Sequence, residues 1–125
     1  MRINLNQVLN HLELSGADIE ASAVLTIDGL TLASSFPVDI HEDRIGSMFA
    51  ALQSLGHRAG RELPYGGLEQ ILVGYERGHA LLTRVGHDVL LAALLRSCDE
   101  IDHVLELTRE GAQRIESVMA AYLAR

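Results

Sequence analysis

From Ile19 to Ser35 the sequence reads as a β-hairpin, and no other stretch restricts the possible folds as much. Ile19, Ala21, Ala23, Leu25 and Ile27 alternate with Glu20, Ser22, Val24 and Thr26, the period-two pattern of a strand with one buried face. Asp28-Gly29 then reverses the chain, because this dipeptide accepts the positive φ of a two-residue hairpin turn, and Leu30 to Ser35 returns as a second strand. A two-stranded hairpin is marginal alone, so the rest of the chain must supply further strands and a cover for the apolar face.

The flanking segments supply both. Before the hairpin, Leu5, Val8, Leu9 and Leu12 share one face of a short helix, with Asn4 and Gln7 spaced as a capping box and Ser15-Gly16 as a stop. After it, Asp39 and Glu42 form a second capping-box pattern and open a long helix that ends near Leu63-Pro64, where proline cannot continue a helix. Ile45, Met48, Phe49, Leu52, Leu55 and Ala59 form its expected core face. Tyr65-Gly66-Gly67 is a loop. Three apolar stretches follow, Glu69 to Glu76, His79 to Val85 and Val89 to Arg96, separated by Arg77-Gly78 and Gly86-His87-Asp88, as in an antiparallel meander.

A last helix carries Ile101, Val104, Leu105, Thr108, Ala112, Ile115, Met119 and Tyr122 on one face, with Ser97 or Asp99 as its cap. The expected fold is therefore an α/β (α+β) sandwich: helix, two strands, helix, three strands, helix, with a five-stranded antiparallel sheet and helices on both faces. At 125 residues, residues 1–125 make one domain, its core spanning roughly 14–122.

Charge and composition exclude several functions. The net charge of −7 leaves no basic face for nucleic acid. No apolar run reaches the ~20 residues of a membrane helix, and no secretory leader opens the sequence, so a soluble cytoplasmic protein without membrane insertion is expected. All ten basic residues are arginine, a bias fitting a GC-rich bacterial genome. The sequence lacks lysine, and with it any Gly-x-x-x-x-Gly-Lys-Ser/Thr phosphate loop, so the chain is not itself a conventional GTPase.

Catalytic patterns are equally sparse. Asp99 and His103 stand four residues apart with Cys98 and Asp102 beside them, but structural zinc sites close around four N or S ligands, and this set does not offer them. His41 with Glu42 and Asp43, and His87 with Asp88, fall where caps and turns use such residues. No cofactor, metal or catalytic residue is assigned, and the chain is read as a non-enzyme. Arg58, Arg61 and Arg77 are candidate partner contacts, since an arginine supplied in trans can stabilise a transferring phosphoryl group.

The second helix carries another pattern. Gly46, Ala50, Gln53, His57 and Gly60 form a stripe centred about 100° from the expected core face. Each glycine inside a helix costs about 1 kcal/mol relative to alanine, so a close backbone approach is the expected reason for them. A two-fold dimer would bring this stripe against its own copy, joined by Gln70, Leu72 and Gly74 on the neighbouring strand.

The segment from Gly16 to Ser34, an alternating strand, Asp28-Gly29 and a short strand ending in Ala33-Ser34, resembles the opening hairpin of the roadblock/dynein light-chain superfamily. The likeness continues through the Ala/Gly-containing second helix, the strand Glu69 to Gly74 and the Leu-rich last strand, covering roughly Leu14 to Tyr122. In organisation the chain is similar to the bacterial MglB-type branch. That resemblance implies a roadblock/profilin-like sandwich, a homodimer formed through the second helix and third strand, and regulation of a small Ras-like GTPase by hydrolysis or nucleotide exchange. Two alternatives remain open: a profilin-like domain that senses a small ligand, and a scaffold subunit without regulatory effect. With Leu and Ala dominating the strands, a filled core is expected in place of a ligand pocket.

Overall fold

The computed structural model describes residues 1–124. Its elements are α1 (Arg2–Glu13), β1 (Ile19–Thr26), β2 (Thr31–Ser34), α2 (Glu42–Arg61), β3 (Gln70–Tyr75), β4 (Gly78–Val85), β5 (Val89–Leu95) and α3 (Ile101–Leu123), in that order. The five strands form one sheet in the order β2-β1-β5-β4-β3, with every neighbouring pair antiparallel. Among the described residues no helix is long and apolar enough to cross a membrane.

Alternation along the strands divides the apolar side chains into two layers. On one face Leu5, Val8, Leu9 and Leu12 of α1 and Val104, Ala112 and Ile115 of α3 pack on Val24, Leu81, Leu91 and Ala93. On the other, Phe36 and Phe49 of the α2 side cover Ala21, Ala23, Leu25, Ala80, Leu82, Leu90 and Ala92. A fully buried aliphatic side chain such as Ile115 contributes about 1.5–3 kcal/mol to this core.

β1 differs from its expected one-sided character. It lies between β2 and β5 with helices over both faces, so Ser22 and Val24 are as buried as Ala21 and Ala23. The one polar side chain among these four is satisfied by a carboxylate: Glu13 Oε2, at the end of α1, accepts from Ser22 Oγ at 2.7 Å and from Ser35 Oγ at 2.9 Å. This ties α1 to the first hairpin.

The element ends also correct the sequence reading. The first turn is a three-residue loop, since Thr26 N–H donates to Leu30 O at 2.8 Å, with Gly29 at φ +101. α1 begins at Arg2 with no side-chain cap, so Asn4 and Gln7 lie inside it. α2 begins at Glu42, because Ile40 N–H bonds Pro37 O and closes Asp39 into a turn; His41 Nδ1 caps the helix by accepting from Arg44 N–H at 3.3 Å. Ser97 does not cap α3 but donates to Asp18 Oδ2 at 2.6 Å, linking the segments that follow α1 and β5. Tyr122, expected on the core face of α3, is 48% exposed at its end.

Candidate interaction surface

The sheet has two edges, and they are not alike. β2 is only four residues long and faces a register shift between Val24 and Leu25; the polar side chains of Arg2, Glu42 and Asp43 flank it. Short length, irregular pairing and charge all blunt an edge against further strands. β3 is longer and regularly paired, with charged neighbours, Glu69 and Glu76, only at its two ends. Its six residues, Gln70-Ile71-Leu72-Val73-Gly74-Tyr75, carry no charge and pair with β4 without a break.

Which β3 groups face outward follows from the ladder. Arg84 N–H donates to Glu69 O, which makes that pair a hydrogen-bonded one; in an antiparallel ladder such pairs alternate. Ile71, Val73 and Tyr75 therefore turn their backbone groups toward β4, while Gln70, Leu72 and Gly74 turn theirs to the open edge. The Leu72 side chain is 44% exposed. The Gln70 side chain is held within the chain, donating from Nε2 to Thr83 Oγ1 and Thr108 Oγ1, both at 3.0 Å, so only its backbone belongs to the edge.

Beside this edge lies α2, and its faces differ from those expected. Gly46, Phe49 and Gln53 are its buried residues, with Ile45 and Leu52 half-buried. Gly46 has room for no side chain because the Gly29 backbone lies on it, so the close approach that its size permits is made within the chain. Gln53 accepts from Arg84 Nη1 at 3.0 Å, and Arg84 also holds the Gly86 and His87 carbonyls of the β4–β5 turn. Both residues of the expected interface stripe are thus engaged within the protomer. Ala50, His57 and Gly60 remain half-buried along its flank.

The helix instead turns outward three residues read as core: Met48 at 55% exposure, Leu55 at 58%, and Ala59. Leu63, just beyond it, is 52% exposed. The two candidate stripes adjoin around the helix, and the long-range contact with Gly29 that decides between them has no local signature. Glu42 and Asp43 stand at the start of α2 and Arg58 and Arg61 in its last turn, so two such helices side by side and antiparallel would match opposite charges at both ends. Arg77 is placed apart from the other two arginines, at the β3–β4 turn near Ile45 and Phe49. Among the described residues no group of three or more His, Cys, Asp or Glu is arranged to hold a metal ion.

The surface thus offers hydrogen-bonding backbone and apolar side chains, the means of binding another protein. Comparison with known proteins agrees with this architecture. Protein MJ0714 of Methanocaldococcus jannaschii is 32% identical over 81 residues, covering 64% of this chain and 69% of the relative. In fold, the chain is similar to the Roadblock/LC7 domain from Streptomyces avermitilis, with a TM-score of 0.84 at 18% identity, covering 94% of this chain and 98% of that one. Myxococcus xanthus MglB is similar to the same degree, with a TM-score of 0.84 at 13% identity over 94% of this chain and 95% of that one. The model of the Roadblock/LC7 domain matches residues 7–95, from α1 to the end of β5, and the chain belongs to that family.

Proposed function

We propose that the chain acts as a homodimer that binds a small Ras-like GTPase and changes its nucleotide state. The observation that carries the dimer is the open β3 edge beside the outward apolar residues of α2. Two copies related by a two-fold axis through β3 would join their sheets, set the α2 helices side by side and antiparallel, and oppose Glu42 and Asp43 of one copy to Arg58 and Arg61 of the other. Leu55 and Met48 would leave water in the same step. The partner class rests on family membership and on the likeness in fold to MglB. The regulator lacks a phosphate loop of its own and acts on the nucleotide bound by its partner. Such an effect needs no inserted arginine, because ordering the partner's switch loops alters hydrolysis or exchange as well.

Affinity capture with the tagged chain, run with GDP and with a non-hydrolysable GTP analogue, tests the reading. One Ras-like GTPase is expected to be enriched in a single nucleotide state, and its hydrolysis or exchange rate to change when the purified chain is added. Enrichment without a change in either rate would assign the scaffold role, and no enrichment in either state would remove the GTPase from the account.

A further inference from the structure

A cleft of about 550 Å³ lies open between the N-terminal half of α2 and the sheet, where a filled core was expected. Phe36, Ile40, Phe49, Tyr75 and Leu94 give it an apolar lining, and Glu20 stands at its wall. We propose that this cleft binds a small molecule in which an aromatic or aliphatic body carries a cationic amine, with Glu20 as the counter-ion. The inference is independent of the GTPase reading.

The volume falls within the ~300–1,000 Å³ of small-molecule sites, which are mostly apolar with a few placed polar groups. The chain has two phenylalanines, three tyrosines and no tryptophan, and both phenylalanines and one tyrosine meet here. Phe36 and Phe49 are buried and form the floor, whereas Tyr75 is 58% exposed and leaves a ring face for a ligand. Aromatic faces also attract an ammonium group through the ring quadrupole.

The position of Glu20 is the second, independent observation. Ile19 pairs with Leu95 and belongs to the layer under α1 and α3, whereas Ala21 pairs with Leu94 and belongs to the layer under α2. In an unbroken strand residues two apart share a face, so the register shift between them marks Glu20 as the inserted residue of a β-bulge. The bulge brings the only charged side chain of β1 to the cleft. Among the described residues Glu20 has no ion-pair partner. Glu76, Arg77 and His79 complete the polar lining, where two carboxylates face one guanidinium and one imidazole within a chain of net charge −7, and this favours a cation over a carboxylate.

Tryptamine and indole-3-acetate, one ring system with opposite charges, serve as probes in amide-resolved NMR titrations of the full chain. Tryptamine is expected to give saturable shifts at Phe49, Gly78 and Ala80, with indole-3-acetate binding at least about tenfold more weakly. Glu20→Gln should weaken tryptamine by about fivefold, the upper range for a partly solvated ion pair, and leave the rest of the spectrum unchanged. Tyr75→Ala, at an exposed position, should weaken both probes. Equal affinity for the two probes, an unaffected Glu20→Gln variant, or shifts absent from the cleft would each overturn the proposal.

Discussion

The backbones of Gly29 and Gly46 lie in contact, and a β-carbon added to Gly29 would meet the Gly46 carbonyl oxygen at 2.9 Å. The turn of the first hairpin is thereby seated on the first turns of α2. Gly46→Ala should lower the stability of the folded chain by about 2 kcal/mol, because the overpacking cost exceeds the ~1 kcal/mol that alanine gains in a helix. At Gly60 an added β-carbon meets nothing nearer than the Gly66 carbonyl oxygen at 3.7 Å, so Gly60→Ala should raise stability by ~0.5–1 kcal/mol. Urea unfolding at several protein concentrations checks both, since a dimer contribution would vary with concentration.

Glu13 is the acceptor for a serine hydroxyl that water does not reach. Glu13→Ala would leave Ser22 Oγ buried without a partner and release the end of α1 from Ser35, at a cost of about 1–3 kcal/mol. Replacing Ser22 with alanine in the same chain should restore part of that loss. The midpoints of thermal unfolding for the single and double variants measure it.

The proposed dimer can be broken without unfolding the protomer. Gly74→Pro removes a backbone donor from the open edge and none from the β4 ladder, and Leu55→Glu places a charge on the outward face of α2. Each should yield a folded monomer by light scattering, with protomer stability changed by about 1 kcal/mol or less. A wild-type chain already monomeric at micromolar concentration would refute the dimer.

Gln53 secures the far end of the sheet through Arg84. Gln53→Ala should deprive the Nη1 donor of its acceptor and loosen the turn whose Gly86 and His87 carbonyls the same guanidinium holds. The expected outcome is faster hydrogen exchange at His87 and Asp88, with a global cost of about 1–3 kcal/mol.

The order of elements was legible because each carries its own period: Leu5, Val8, Leu9 and Leu12 all point into the core, and the meander divides where its glycines stand. Features set by distant partners were not. Ser22 reads as a solvent-facing strand residue until Glu13 is known to lie over it. Met48 and Leu55 read as core until Gly46 and Gln53 are seen to occupy the inward face of α2. Glu20 alternates faultlessly in the sequence, and only the pairing of Ile19 and Ala21 with β5 shows the inserted residue. On the edge strand, Gln70, Leu72 and Gly74 were grouped by face, and the ladder gives them a common backbone direction as well.

The placement of β1 beside β5 bears on how the chain is made. During synthesis β1 emerges with β2 alone, a two-stranded ribbon of marginal stability, and its other edge has no partner until Val89 to Leu95 has left the ribosome. The first half of the protein cannot complete its own sheet, so folding waits on contacts distant in sequence and is slow for a domain of this size. A transcript cut before β5 would release a chain in which β1, buried on both faces in the folded protein, is bare along one edge, a template for aggregation and a substrate for quality-control proteases.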